Sequence, residues 1–114
     1  MIWPARMPKA LRTVPDLAEI REAQSGGLEI VGVIDFYTSP ELLKRTRARM
    51  KPGETLEINF AGVDRVDSSA AALMLEWLRE AHKRNIELRY TGLPEMLLSL
   101  LSVCGLEGRL PIHS

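Results

Sequence analysis

Residues 55–90 constrain the fold more than any other part of the chain. Residues 55–60 alternate, with Leu56, Ile58 and Phe60 on one side and Glu57 and Asn59 on the other. Residues 86–90 repeat the pattern, setting Ile86, Leu88 and Tyr90 against Glu87 and Arg89. A period of two marks a strand covered on one face and wet on the other. Between these strands, residues 69–84 switch to a helical period. Ala70, Leu73, Met74, Trp77, Leu78 and Ala81 form one stripe, opposite Glu76, Arg79, Glu80, Lys83 and Arg84. Glu80 and Arg84 form an ion pair in the favourable order, worth a few tenths of a kcal/mol. A strand, a long helix and a second strand form a crossover, so the two strands run parallel. Their wet faces place the helices mainly on one side of the sheet.

The flanking segments extend this pattern. Residues 28–34 are short and β-branched, as a central strand should be. A helix is predicted to open at Ser39, with the serine hydroxyl as its cap, Pro40 in the first turn and Glu41 complementing the dipole. Leu42, Leu43, Thr46 and Met50 form its apolar stripe, and Lys51-Pro52-Gly53 should end it. A last helix runs from Pro94-Glu95 to a C′ glycine, Gly105, and is polar only at Ser99 and Ser102. One side of that helix belongs in the core, and the other is a candidate second protein-binding surface. Cys104, among apolar neighbours, reads as a small core hydrophobe. Residues 109–112 are expected to add a short edge strand, where Pro111 is tolerated. Residues 16–24 carry conflicting signals, helix formers followed by the turn sequence Ser25-Gly26-Gly27. Residues 1–15, with Pro4, Pro8 and Pro15, lack periodicity and read as a loose N-terminal tail that Trp3 could anchor. The expected organisation is therefore a tail over 1–15 and one α/β domain over 16–114, built on a mostly parallel sheet.

Composition narrows the function. The 114 residues hold 15 basic and 15 acidic side chains, for no net charge. Nonspecific nucleic-acid binding leans on a basic surface, so no nucleic-acid partner is expected. Lys44 to Lys51 is a basic run that could meet an acidic partner or lipid headgroups, but interspersed charges on a helix usually form a solvated face. No apolar run approaches the roughly 20 residues of a membrane span, so no direct membrane insertion is expected. The N-terminus lacks the apolar stretch of a secretory signal. One cysteine excludes an internal disulfide and fits a reducing cytoplasmic setting. His82 and His113 have no companion ligands, so no metal and no cofactor are predicted. Neither a phosphate-cradling glycine loop nor a nucleophile elbow is present, which leaves an enzymatic reading without support.

One local constellation remains, Val66-Asp67-Ser68-Ser69-Ala70, where the first alternating strand meets the long helix. One reading is capping: Asp67, Ser68 or Ser69 satisfies a free helix N–H, worth about 1 kcal/mol. The other is a phosphoacceptor serine, whose added charge of roughly −1.5 to −2 would alter what docks there. Covalent chemistry by Asp67 and Ser68 lacks a general base.

Gly32-Val33-Ile34-Asp35 resembles the G-x-[LIV]-D strand end of the STAS domains. LEINFAGVDRVDSSAAALMLEWLREAHKRN is similar to that family's strand, D-S-[ST]-G turn and long helix, and IELRYTGLPEMLLSLLSVCGLEGRL continues in the same order. The resemblance covers residues 28–110. It implies a non-enzymatic interaction module with a four- or five-stranded sheet and helices mainly on one face. In anti-sigma factor antagonists the serine after the aspartate is phosphorylated by a partner kinase, and the matching residue is Ser68. In the MlaB-like relatives the same position lies against the ATPase of a phospholipid transporter. Ala70 replaces the glycine of D-S-[ST]-G, and the segments that follow look closer to the MlaB-like branch. The resemblance thus points to Asp67, Ser68, Ser69, Ala70 and Ala71 as phosphoacceptor or partner-binding residues. Asp35 and Phe36 are secondary candidates for the partner surface. The implied partner is a transporter ATPase or an anti-sigma factor kinase. The implied location is cytoplasmic, at most peripheral at the inner membrane through a transporter complex.

Overall fold

Strand pairing decides the segment whose local signals conflict. In the computed structural model, which describes residues 18–113, Ala18–Glu22 forms strand β1 despite its helix formers. It pairs antiparallel with Leu28–Ile34, strand β2. Ala18 and Ile20 are half-buried while Glu19, Arg21 and Glu22 stay in water, so a side-chain period of two overrides propensity. The tail expected over residues 1–15, with its Trp3 anchor, lies outside the described residues.

The remaining elements alternate: α1 (Ser39–Arg47), β3 (Thr55–Val66), α2 (Ser69–Lys83), β4 (Glu87–Thr91) and α3 (Glu95–Val103). The sheet order is β1-β2-β3-β4, with only the β1–β2 pair antiparallel. Helices α1 and α2 are the crossovers of the two parallel pairs. The expected mostly parallel α/β sheet is therefore present, with four strands among the described residues. Residues 109–112 add a minimal edge: Ile112 bridges Tyr90 in parallel, and the Tyr90 N–H donates to the Pro111 carbonyl at 2.8 Å.

The three helices of the described residues meet one face of this sheet. Ile30, Ile34, Ile58, Phe60, Leu88 and Tyr90 form a single core with Leu42 of α1, with Leu73, Met74 and Trp77 of α2, and with Leu97 and Leu101 of α3. The alternate positions Glu29, Glu57, Asn59, Glu87 and Arg89 carry polar groups on the other face. At the centre, Phe60, Trp77 and Tyr90 form an aromatic triangle with centroid separations of 5.5–6.4 Å. The buried Tyr90 hydroxyl donates to the Met74 carbonyl at 2.6 Å, tying β4 to α2. Desolvation pushes its pKa upward.

Two local expectations change. Helix α1 ends at Arg47 rather than at Lys51-Pro52-Gly53, because the chain tightens into successive turns, with Arg49 N–H to the Thr46 carbonyl and Met50 N–H to the Arg47 carbonyl. Arg84 Nη1 then donates to the Arg47 and Met50 carbonyls at 2.9 and 3.2 Å, satisfying that helix end. Strand β3 runs to Val66, six residues past the end of the alternating segment. Its register with β2 slips twice, once across residues 59–62 and again across 63–65. Each slip is a bulge that hides the period of two. At the first, the Asn59 side chain accepts the Ala61 N–H at 2.7 Å. Gly62 sits where a Cβ would lie 3.0 Å from Val31 Cγ2. The extension carries the chain to Asp67, beside the end of β2.

Candidate functional site

Two aspartates stand at the carboxyl ends of adjacent parallel strands, and each spends its carboxylate on backbone N–H groups. Asp35 follows β2. Its Oδ1 accepts the N–H of Tyr37 at 2.9 Å and that of Thr38 at 3.0 Å. Thr38 Oγ1 accepts the Asp35 N–H and donates to the Val33 carbonyl, which closes the loop from its other side. The expected Ser39 cap does not form. The Asp35 carboxylate and the Thr38 hydroxyl already organise this entry into α1, and Ser39 Oγ is buried without a hydrogen-bond partner.

Asp67 follows β3, and its N–H donates to the Ile34 carbonyl, keeping the two strand ends in register. Its Oδ1 accepts the Ser69 N–H at 2.7 Å. The capping role that three residues could have filled therefore belongs to Asp67. Ser68 has helical dihedrals and makes no side-chain cap bond. Ser68 is exposed, and its hydroxyl makes no hydrogen bond to any of the described residues. Ser69 is half-buried. Ala70 and Ala71 are buried at 0% and 6% exposure, so their side chains face the core. Ala70, which stands at the glycine position of the D-S-[ST]-G pattern, thus fills interior space. The next outward positions along α2 are Ala72, Leu75 and Arg79.

The second carboxylate oxygen joins the two corners: Asp67 Oδ2 accepts the Phe36 N–H at 3.2 Å. Asp35, Phe36, Asp67 and Ser68 are thereby brought into one patch. Within it Phe36 is 72% exposed and Tyr37 85% exposed, their rings edge to face at 5.6 Å. Two large aromatic side chains in water beside an unused hydroxyl form an anchor of the kind that protein interfaces favour. Tyr37 was not among the residues expected from sequence. An aromatic pair after a strand end ordinarily reads as core, and only the Asp35 turn reveals that it is turned outward.

Elsewhere the surface is less organised. On α3, Leu97 and Leu101 are buried, whereas Leu98 is 43% exposed and Val103 85% exposed, which keeps its outer side apolar. Cys104 is exposed, contrary to the core reading, because it sits at the helix end beyond the last buried turn. The basic run is partly spent within the fold: Arg49 pairs with Glu22 at 2.7 Å, and Arg47 approaches Glu80, as do Lys83 and Arg84. Among the described residues, no group of three His, Cys, Asp or Glu side chains could hold a metal ion. No helix there is long and apolar enough to cross a membrane.

Comparison with known proteins adds two findings. Residues 17–112 match the family described as "Mlab, STAS domain". Two relatives, from Listeria monocytogenes and Listeria innocua, are each named anti-sigma-B factor antagonist. Each is 28% identical over 99 residues, spanning 84% of this chain and 87% of the relative.

Proposed function

From the premise that this chain belongs to the STAS domain family, we propose that it is a non-enzymatic binding subunit that grips the ATPase of a phospholipid ABC transporter. The observation that carries this reading is the outward corner: exposed Ser68, whose hydroxyl bonds none of the described residues, joined through Asp67 to the loop of the exposed Phe36–Tyr37 pair. The contact surface comprises Asp67 and Ser68 with Ala72 of α2, flanked by the Asp35 loop. The family description favours the transporter branch. So does the alanine-rich start of α2, with alanine where antagonists carry glycine. Binding would act by population: occupying one face of the ATPase biases its assembled state, and no bond is made or broken on this chain. The site of action is the cytoplasm, at the inner membrane only through the transporter. Affinity purification from the host at native expression, followed by mass spectrometry, tests this. The ATPase and permease of one phospholipid transporter should co-purify, and their absence would overturn the reading.

A second reading has its own support. The Listeria relatives are named anti-sigma-B factor antagonists, and Ser68 is open to a kinase. On this reading phosphorylation of Ser68 disrupts binding to an anti-sigma factor kinase. Intact-mass measurement of protein from native cells separates the two, since a phosphoryl adduct on Ser68 belongs to the antagonist.

A further inference from the structure

The Asp67 carboxylate does more than cap a helix. Its two oxygens serve two different segments, Ser69 N–H at the start of α2 and Phe36 N–H in the loop after β2, which lie 31 positions from Asp67 along the chain in the second case. The carboxylate belongs to the residue next to Ser68 and bonds the loop that carries the exposed rings, and both of its oxygens are engaged by the fold. We propose that Asp67 is the positioning residue of the binding surface, locking the Phe36–Tyr37 pair to the Ser68 corner so that a partner meets both as one preformed patch. Without this tie, the loop would hold its rings only through Asp35 and Thr38, and the aromatic pair could turn independently of α2. A partner would then have to order the loop on binding, a cost that preorganisation removes. Asp67 is a contact of secondary importance itself; its effect runs through Phe36.

The inference rests on the binding role proposed above, but its first test needs no partner. Asparagine offers one acceptor oxygen, and its NH₂ group cannot accept from a second N–H. In Asp67→Asn the oxygen should stay on the shorter bond, to Ser69, and release Phe36. In ¹⁵N-labelled protein, the Phe36 amide should shift and exchange with solvent about fivefold faster, while the Ser69 amide changes little. If Asp67→Asn folds poorly, Asp67→Ser serves instead, since serine still caps a helix but is too short to span to Phe36. The second test uses the purified transporter ATPase. Asp67→Asn should weaken binding about tenfold in the native background and have no further effect when Phe36→Ala and Tyr37→Ala are already present. An unchanged Phe36 amide, or a loss that adds fully to that of the ring substitutions, overturns the proposal. If the ATPase fails to bind the native protein at all, the functional reading falls, while the amide measurement still decides whether Asp67 holds the loop.

Discussion

Asp67 and Ser68 divide the labour of one corner, the aspartate working for the fold and the serine left to the outside. Of the two readings open at the sequence level, cap or phosphoacceptor, the cap is met by Asp67, and Ser68 is left exposed. What sequence could not reveal is that one carboxylate satisfies two segments, because a hydrogen bond between residues 36 and 67 leaves no local pattern. Ser68→Asp would add a carboxylate to a patch that already holds Asp35 and Asp67. Like-charge repulsion and desolvation should lower partner affinity at least about tenfold. Thermal stability should change by less than about 1 kcal/mol, since an acidic residue suits a helix start. Isothermal titration and thermal denaturation of the variant check both halves. Phe36→Ala and Tyr37→Ala belong to the same scale. As exposed side chains they should leave the unfolding free energy within about 0.5 kcal/mol of the parent. The same changes should cost about 2 kcal/mol or more in binding, as truncated aromatic anchors do.

At the scale of elements, β4, α2 and the first half of β3 were legible because a single period governs each from end to end. The rest of β3 was not, because two bulges break the alternation where the Asn59 side chain and Gly62 accommodate them. Nor was β1, where strand pairing outweighs helix propensity. The turn between β1 and β2 depends on close approach: a Cβ on Gly27 would lie 2.5 Å from the Glu57 carbonyl oxygen of β3. Gly27→Ala must push backbone against backbone and should destabilise the domain by about 1–3 kcal/mol in urea unfolding. At Gly53, where no atom lies within 4 Å of an added Cβ and φ is +83°, Gly53→Ala carries only the conformational penalty, about 1 kcal/mol. Equal losses at the two sites would contradict the steric account. The apolar character of α3 is legible in its sequence, but the exposure of Cys104 is not, since composition does not locate the last buried turn.

Taken as a whole, the molecule packs its helices and its aromatic core on one face of the sheet, and presents the exposed Phe36, Tyr37 and Ser68 at the carboxyl ends of β2 and β3. Tyr90 reports on that core. Burial holds its pKa above the ordinary value near 10. Its contribution to stability is therefore complete below the unfolded-state pKa and is lost as pH rises past it. The urea midpoint should fall between about pH 9 and pH 11, and Tyr90→Phe should flatten that fall while costing about 1 kcal/mol at neutral pH through the lost bond to Met74. The central claim is that one corner, built from residues 35–38 and 67–72, is what a partner holds. Titration of the purified transporter ATPase into ¹⁵N-labelled protein tests it most directly. The account predicts that the amides of Phe36, Tyr37, Ser68 and Ala72 shift or broaden first. Perturbation confined to the outer side of α3, at Leu98 and Val103, or to the polar face of the sheet would contradict it.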